Sequence, residues 1–147
     1  MTVTLTPIDA AGRTAVLGLH VSPDQDDFVA SNAESLDEAD ENPECIPLAV
    51  AAGGLVVGFA MYALDSDDDN YWIYRLMIDH RYQGRGFGRA ALRALIARLS
   101  ALAGCDAIYL GVAPENVAAA ELYVGEGFTP TGEMFEGEIV MRRPVAR

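Results

Sequence analysis

The sequence predicts an α/β domain in which helices flank a mixed sheet, and three observations carry that prediction. β-type runs crowd the first half of the chain, the apolar repeat changes from two to about 3.6 residues on passing a glycine-rich loop at Gly84–Gly88, and a β-α-β-α-β order fills the remainder. A chain of 147 residues with 51% hydrophobic content suits one well-filled core, so 1–147 reads as a single domain.

Val3 and Leu5 alternate with threonines as a first strand, with Pro7 in the same register. Asp9 then caps a helix carrying Val16, Leu17 and Leu19 that stops near His20. Residues 22–44 hold nine acids, with Phe28, Val29 and Leu36 as the main apolar contacts, which predicts one or two short surface helices. Pro47–Ala52 and Leu55–Tyr62 read as two strands joined by a Gly53-Gly54 turn. After a polar turn over 65–70, Tyr71–Ile78 forms a long β-type run that leads into the glycine loop. Beyond the loop Ala91, Leu92, Leu95, Ile96, Leu99 and Leu102 share one helix face while Arg85, Arg89 and Arg93 share another, and Gly104 ends that helix. Ala107–Val112 is a buried-type strand, Pro114-Glu115-Asn116 starts a short helix that runs to about Gly125, and Ile139–Met141 forms the last strand.

Charge narrows the function classes. A net charge of −12 argues against a nucleic-acid partner, because neutralising phosphates requires a basic surface. All ten basic residues are arginine, and between Thr14 and Tyr74 thirteen Asp and Glu stand with no Arg among them. Six arginines then follow at Arg75, Arg81, Arg85, Arg89, Arg93 and Arg98, so the chain is electrically two-sided. An anionic ligand is drawn to the second part and a cationic one to the first. No apolar run approaches the ~18 residues of a membrane span and no leader-like segment opens the chain, so a cytoplasmic protein without a membrane partner is expected. Cys45 and Cys105 lack CxxC spacing and a nearby His pair, so neither a disulfide framework nor a metal site is expected.

The segment Gln83-Gly84-Arg85-Gly86-Phe87-Gly88 follows a predicted strand and opens a predicted helix. Glycines let a ligand approach the backbone, and the first helical turn leaves its amides unpaired at the positive end of the dipole, so the segment suits a diphosphate. A P-loop is excluded because the chain has no Lys to set against the β and γ phosphates. Gly86, Gly88 and Ala91 formally satisfy the dinucleotide pattern GxGxxA, with Asp106 beyond it; that motif belongs near the start of a doubly wound domain, and here it comes late. A nicotinamide-dependent enzyme is therefore a lesser alternative.

Gln83, Gly86 and Gly88 also satisfy Q/R-x-x-G-x-G/A, and further along Asn116, Ala119 or Ala120, Tyr123 and Gly127-Phe128 follow N-x-x-A-x-x-x-Y-x-x-x-G-F. In both parts the chain resembles the GNAT superfamily of N-acetyltransferases, with a looser likeness to bacterial diamine and polyamine acetyltransferases. The resemblance implies a GNAT fold: a mixed, mostly antiparallel twisted sheet in which two parallel strands splay apart, here Leu76–Asp79 and Ala107–Val112, to hold acetyl-CoA. It implies that backbone groups of Leu76, Met77 and Ile78 meet the pantetheine and the thioester carbonyl. It also implies that amides of Gln83, Gly84, Arg85, Gly86, Phe87, Gly88 and Arg89 hold the diphosphate, with Arg81, Arg85 and Arg89 as phosphate partners and Asn116 on the pantetheine arm. Tyr123 matches the tyrosine that protonates the departing thiolate, the competing reading being a packed aromatic. Arg93 and Arg98 read as solvated helix residues, and His20 and His80 as helix-end and loop residues.

The likeness implies acetyl transfer to a primary amine by direct attack in a ternary complex, with no metal. It fails at the base: several polyamine acetyltransferases carry an acid on the strand before the glycine loop, where this chain has Tyr74. That residue lines the acceptor site, holds a water chain, or marks a different acceptor. Glu34, Glu38 and Glu44 are further acidic candidates on the acceptor side, and Trp72, Phe28, Tyr62 and Tyr71 are candidates for an apolar wall. The acidic segment suits a small cationic amine such as a polyamine, a lysine side chain or an aminoglycoside, and equally suits a solubility surface. Two further expectations stand beside these: a non-catalytic acyl-CoA-binding sensor, suggested by Tyr74, and a homodimer through strands near the C-terminus, as in similar enzymes.

Overall fold

A computed structural model describes residues 2–21 and 31–145. Among the described residues seven strands form one sheet in the order β1-β2-β3-β4-β5-β7-β6, where β1 is Thr4–Pro7, β2 Cys45–Ala52, β3 Leu55–Asp65, β4 Asn70–Ile78, β5 Ala107–Val112, β6 Thr129–Phe135 and β7 Glu138–Pro144. Every neighbouring pair is antiparallel except β4 with β5. The mixed, mostly antiparallel sheet expected from the sequence is therefore present. Helix α1 is Ala10–Leu17, α2 Asn32–Glu41, α3 Phe87–Ser100 and α4 Val117–Gly125.

Local chemistry accounts for the helix starts on the acidic side. The Asp9 carboxylate accepts from the Gly12 amide at 2.7 Å, as its cap role requires. Ser31 and Glu34 form a reciprocal capping box that opens α2. One described helix thus occupies the acidic segment; Phe28 and Val29, expected among its apolar contacts, lie outside the described residues.

The two faces of the sheet carry separate cores. Leu92, Leu95 and Leu99 of α3 pack with Val50, Ala60, Ile108 and Leu110 on one face. On the other, Val16 of α1 and Leu36 of α2 pack with Ala49, Phe59 and Met61. This second face is the one that brings α2 beside β4.

Two expectations change. Helix α3 ends at Ser100, not at Gly104, and Gly104 instead supplies a left-handed turn (φ 77°) that redirects the chain into β5. Strand β6 was not expected: all seven of its residues are exposed, so the burial alternation that marks a strand is missing. Among the described residues no helix is long and apolar enough to cross a membrane.

Candidate active site

Parallel pairing between β4 and β5 covers only Tyr71–Ile73 against Ile108–Leu110. Beyond it Arg75–Ile78 stay with β3 while Gly111 and Val112 stay with β7, so the strands part and leave a wedge. The Asp79 amide donates to the Val57 carbonyl of β3 at 2.9 Å, and strand alternation then turns the backbone groups of Met77 toward β3 and those of Leu76 and Ile78 toward the wedge. The expectation that Met77 offers its backbone to a ligand is corrected accordingly; its side chain borders the wedge instead. Gly58 permits this close strand contact, since a Cβ there would collide with the Met77 carbonyl and lie 2.7 Å from Ile78 Cδ1.

At the end of β4 the chain is tied down before it enters the glycine loop. Gln83 Nε2 donates to the Ile78 carbonyl at 2.9 Å, which gives Gln83 a structural hold on the loop. Asp79 is buried and accepts from the Arg81 amide (2.9 Å), Arg81 Nε (2.8 Å) and the His20 amide (3.0 Å). Burial acts to raise its carboxyl, but these bonds and the Arg81 charge outweigh it and bring the pKa down to about 2. Gly84 (φ 77°) and Gly86 (φ 86°) then adopt left-handed backbone with open space where a side chain would stand. Gly86 is the N-cap of α3 without a side-chain cap, and the first backbone bond back to it comes from Ala90, so the amides of Phe87, Gly88 and Arg89 have no acceptor within the helix.

The arginines expected at phosphates divide. Arg81 is paired with Asp79 at 2.8 Å, and Arg89 with Glu126 at 2.9 Å. Arg93 joins the same Glu126 at 2.6 Å, and Arg98 donates to the Leu5 carbonyl. Arg85 forms no ion pair among the described residues and lies 6.0 Å from the Tyr82 ring, which leaves it the most available cation at the loop.

Below the loop the wedge opens into a cavity of about 540 Å³ bordered by Tyr74, Arg75, Leu76 and Met77 of β4, by Gly111–Ala113, by Glu115, Asn116, Ala119 and Tyr123 at α4, by Glu136–Glu138, and by Asn32. Asn116 stands at the N-cap of α4, yet its side chain makes no capping bond. Capping therefore does not account for it. Tyr123 stacks edge-on against the fully buried Phe128 at 6.0 Å, and among the described residues its hydroxyl has no hydrogen-bond partner. Burial, with a smaller contribution from the Glu138 charge, pushes its pKa up to about 12, so it is a phenol that can donate a proton.

The opposite wall depends on a bulge. Met61 stands opposite Arg75 and Tyr62 opposite Ile73, which makes Tyr74 an extra residue in β4. Successive residues Tyr74 and Arg75 consequently serve the same face, that of α1 and α2. The Arg75 guanidinium bonds Ser35 Oγ (3.0 Å), Glu38 (3.2 Å) and the Tyr74 carbonyl (2.7 Å). Tyr74 donates to Asp65 at 2.6 Å, and burial followed by this bond raises its pKa well above the ordinary phenol range. It cannot act as a base. Glu34 and Glu38, expected at the acceptor, do not border the cavity: Glu34 is engaged in the α2 cap, which lowers its pKa, and Glu38 in the Arg75 pair. Trp72 stacks on Tyr109, while Tyr62 and Tyr71 pack toward α3.

A model of the acetyltransferase (GNAT) family matches residues 14–128. The chain belongs to the GNAT family of acetyltransferases. It is 39% identical, over 96% of its length and 97% of the relative's, to a spermine/spermidine N(1)-acetyltransferase of Bacillus subtilis (strain 168). Its fold is similar to the crystal structure of an acetyltransferase from Thermus thermophilus, with TM-score 0.80, 22% identity and coverage of 98% of this chain and 97% of that one. It is likewise similar to spermidine N-acetyltransferase from Vibrio cholerae in complex with CoA and spermine, with TM-score 0.76, 19% identity and coverage of 98% and 96%. This GNAT chain is thus an acetyl-CoA-dependent N-acetyltransferase, as the paired motifs imply.

Within this GNAT site, the sequence reading did not single out Gly111, Glu136 or Glu138. The Glu136-Gly137-Glu138 turn was a visible signal of a hairpin, with two acids beside a glycine. Its distance along the chain from β4 hid the juxtaposition.

Proposed function

We propose that this GNAT enzyme transfers the acetyl group of acetyl-CoA to a primary amine of a polyamine, by direct attack while both substrates are bound. The observation that carries the reading is the wedge between β4 and β5, with an amide-lined glycine loop at the end of β4 and a cavity bordered by Tyr123 and by three carboxylates, Glu115, Glu136 and Glu138. The 39% likeness to a spermine/spermidine N(1)-acetyltransferase supports the same acceptor class.

The donor fits the residues present. The amides from Gly84 to Arg89 hold the diphosphate, Arg85 supplies the uncommitted positive charge, and the open edge of Leu76 and Ile78 runs beside the pantetheine with the Asn116 side chain. An N–H on that edge stabilises the oxyanion that develops on the thioester carbonyl, and Tyr123 protonates the thiolate. Polyamine nitrogens are positively charged near neutral pH, so the cavity carboxylates favour their entry.

The test measures CoA thiol release with spermine, spermidine, lysyl peptides and aminoglycosides in parallel. Highest kcat/KM with the polyamines is expected. Preference for lysyl peptides or aminoglycosides would reassign the acceptor, and tight acetyl-CoA binding with no turnover of any amine would leave only a sensor.

A further inference from the structure

Direct attack needs a neutral amine, and on the order of one alkylammonium in a thousand has lost its proton at pH 7. The groups already placed leave that task unassigned. Tyr74 is itself a donor to Asp65, Glu34 caps α2, and Glu38 is held by Arg75.

Glu138 stands apart from these. It opens β7, opposite Phe135, and borders the cavity. Ile139 and Met141 of the same strand enter the core under α3, so alternation turns Glu138 to the other face, where Tyr74 and Arg75 lie. The neighbouring strand leaves room for it. A Cβ at Gly111 would stand 2.7 Å from Glu138 Oε1 and 3.3 Å from its Cβ, so any larger residue there displaces the carboxylate. Among the described residues the Glu138 side chain accepts no hydrogen bond and joins no ion pair. A half-buried carboxylate without a protein partner, facing a cavity, is suited to a cation from outside the chain.

We infer that Glu138 is the catalytic residue of the acceptor side, holding the ammonium group of the amine and taking its proton. The inference rests on the function proposed above. One N–H bond of the ammonium breaks and the proton passes to the Glu138 carboxylate. The freed nitrogen lone pair forms the C–N bond to the acetyl carbon, and the C–S electron pair leaves with sulfur. Tyr123 gives its proton to that sulfur and is restored by the second nitrogen proton, while the proton on Glu138 passes to water. The sum is ammonium plus thioester giving amide, thiol and one released proton.

The surroundings suit the role. Burial raises the Glu138 pKa, Arg75 of β4 opposes that rise and Glu136 of the same hairpin adds to it. Tyr123 of α4 feels the Glu138 charge in turn, and Glu115 and the Tyr74 side chain border the same cavity.

The experiment compares Glu138→Gln with the wild type, in the full chain, with spermidine as acceptor from about pH 6 to about pH 10, alongside acetyl-CoA affinity and Tm. Expected is a fall in turnover of about 100-fold or more at pH 7, narrowing as the pH approaches the amine pKa of about 10, with acetyl-CoA affinity within about twofold. Glu138→Asp should regain part of the loss. Equal turnover at pH 7 overturns the inference and leaves the acetyl transfer intact, as does a loss that stays constant with pH. A wild type that turns over none of the amines overturns both. Should Glu138→Gln fail to fold, Gly111→Ala displaces the carboxylate without removing it; the same pH-dependent loss is expected, and wild-type turnover would overturn the inference.

Discussion

The two sides of the wedge are made from different materials. On the donor side the chain presents mainly backbone: a loop with two left-handed glycines, the unpaired first amides of α3, and the open edge of Leu76 and Ile78. These parts are contiguous in sequence, with Asn116 and Tyr123 added from α4. On the acceptor side the chain presents side chains from distant segments, with Arg75 of β4 tied to Ser35 and Glu38 of α2, and Glu138 arriving from β7. Backbone recognition demands particular conformations and so constrains residue type. Side-chain recognition demands only that the right group arrive from somewhere.

The contrast can be broken first at the donor side. Gly86→Asp places bulk and negative charge in the open space proposed for the diphosphate, and acetyl-CoA affinity should fall by at least roughly 100-fold in calorimetry while polyamine binding persists. Unchanged affinity would mean the loop holds something else. Tyr123→Phe acts at the junction: turnover should fall by roughly 100- to 1,000-fold while acetyl-CoA affinity stays within about threefold. Equal losses in both would make the ring a packing element.

A smaller effect falls on the anchor beneath the loop. The Asp79 carboxyl lies at about 2 against an ordinary 3.8, so its stabilising contribution is complete above about pH 4 and is lost as pH falls through about 2. Asp79→Asn should cost about 2 kcal/mol near neutrality by denaturant titration, and the gap from wild type should shrink toward pH 2. A gap that persists there would assign the effect to packing. The smallest effect belongs to the acceptor wall. Tyr74→Phe removes the hydroxyl bonded to Asp65 and should cost about 1 kcal/mol without moving the pH profile of turnover. A shifted profile would give that hydroxyl a part in the proton transfer.

The same contrast explains what was legible in the sequence. Gln83, Gly86, Gly88, Asn116 and Tyr123 were visible because their spacing along the chain follows two patterns of the family whose model matches residues 14–128. The hairpin and α3 were visible through turn residues and apolar periodicity. Strand β6 was hidden by its full exposure, which removes the alternation a reader looks for. The acceptor side was hidden for another reason. The acids most evident in sequence, Glu34 and Glu38, are engaged by Ser31 and Arg75, whereas Glu138 gains its meaning only when β7 is laid beside β5. Arg81 and Arg89 were legible as cations near a phosphate loop, but their carboxylate partners Asp79 and Glu126 were not.

The extra residue at Tyr74 has a consequence for how such a site can change. Because the irregularity lies before Leu76, it sets two neighbouring side chains on the face of α1 and α2 while the Leu76 to Asp79 backbone keeps its regular pairing with β3. Under the function proposed above, substitutions at Tyr74 or Arg75 would therefore alter the choice of amine while leaving the backbone of Leu76 to Asp79 in place. The strand carries an irregular end that faces α2 and a regular end held to β3.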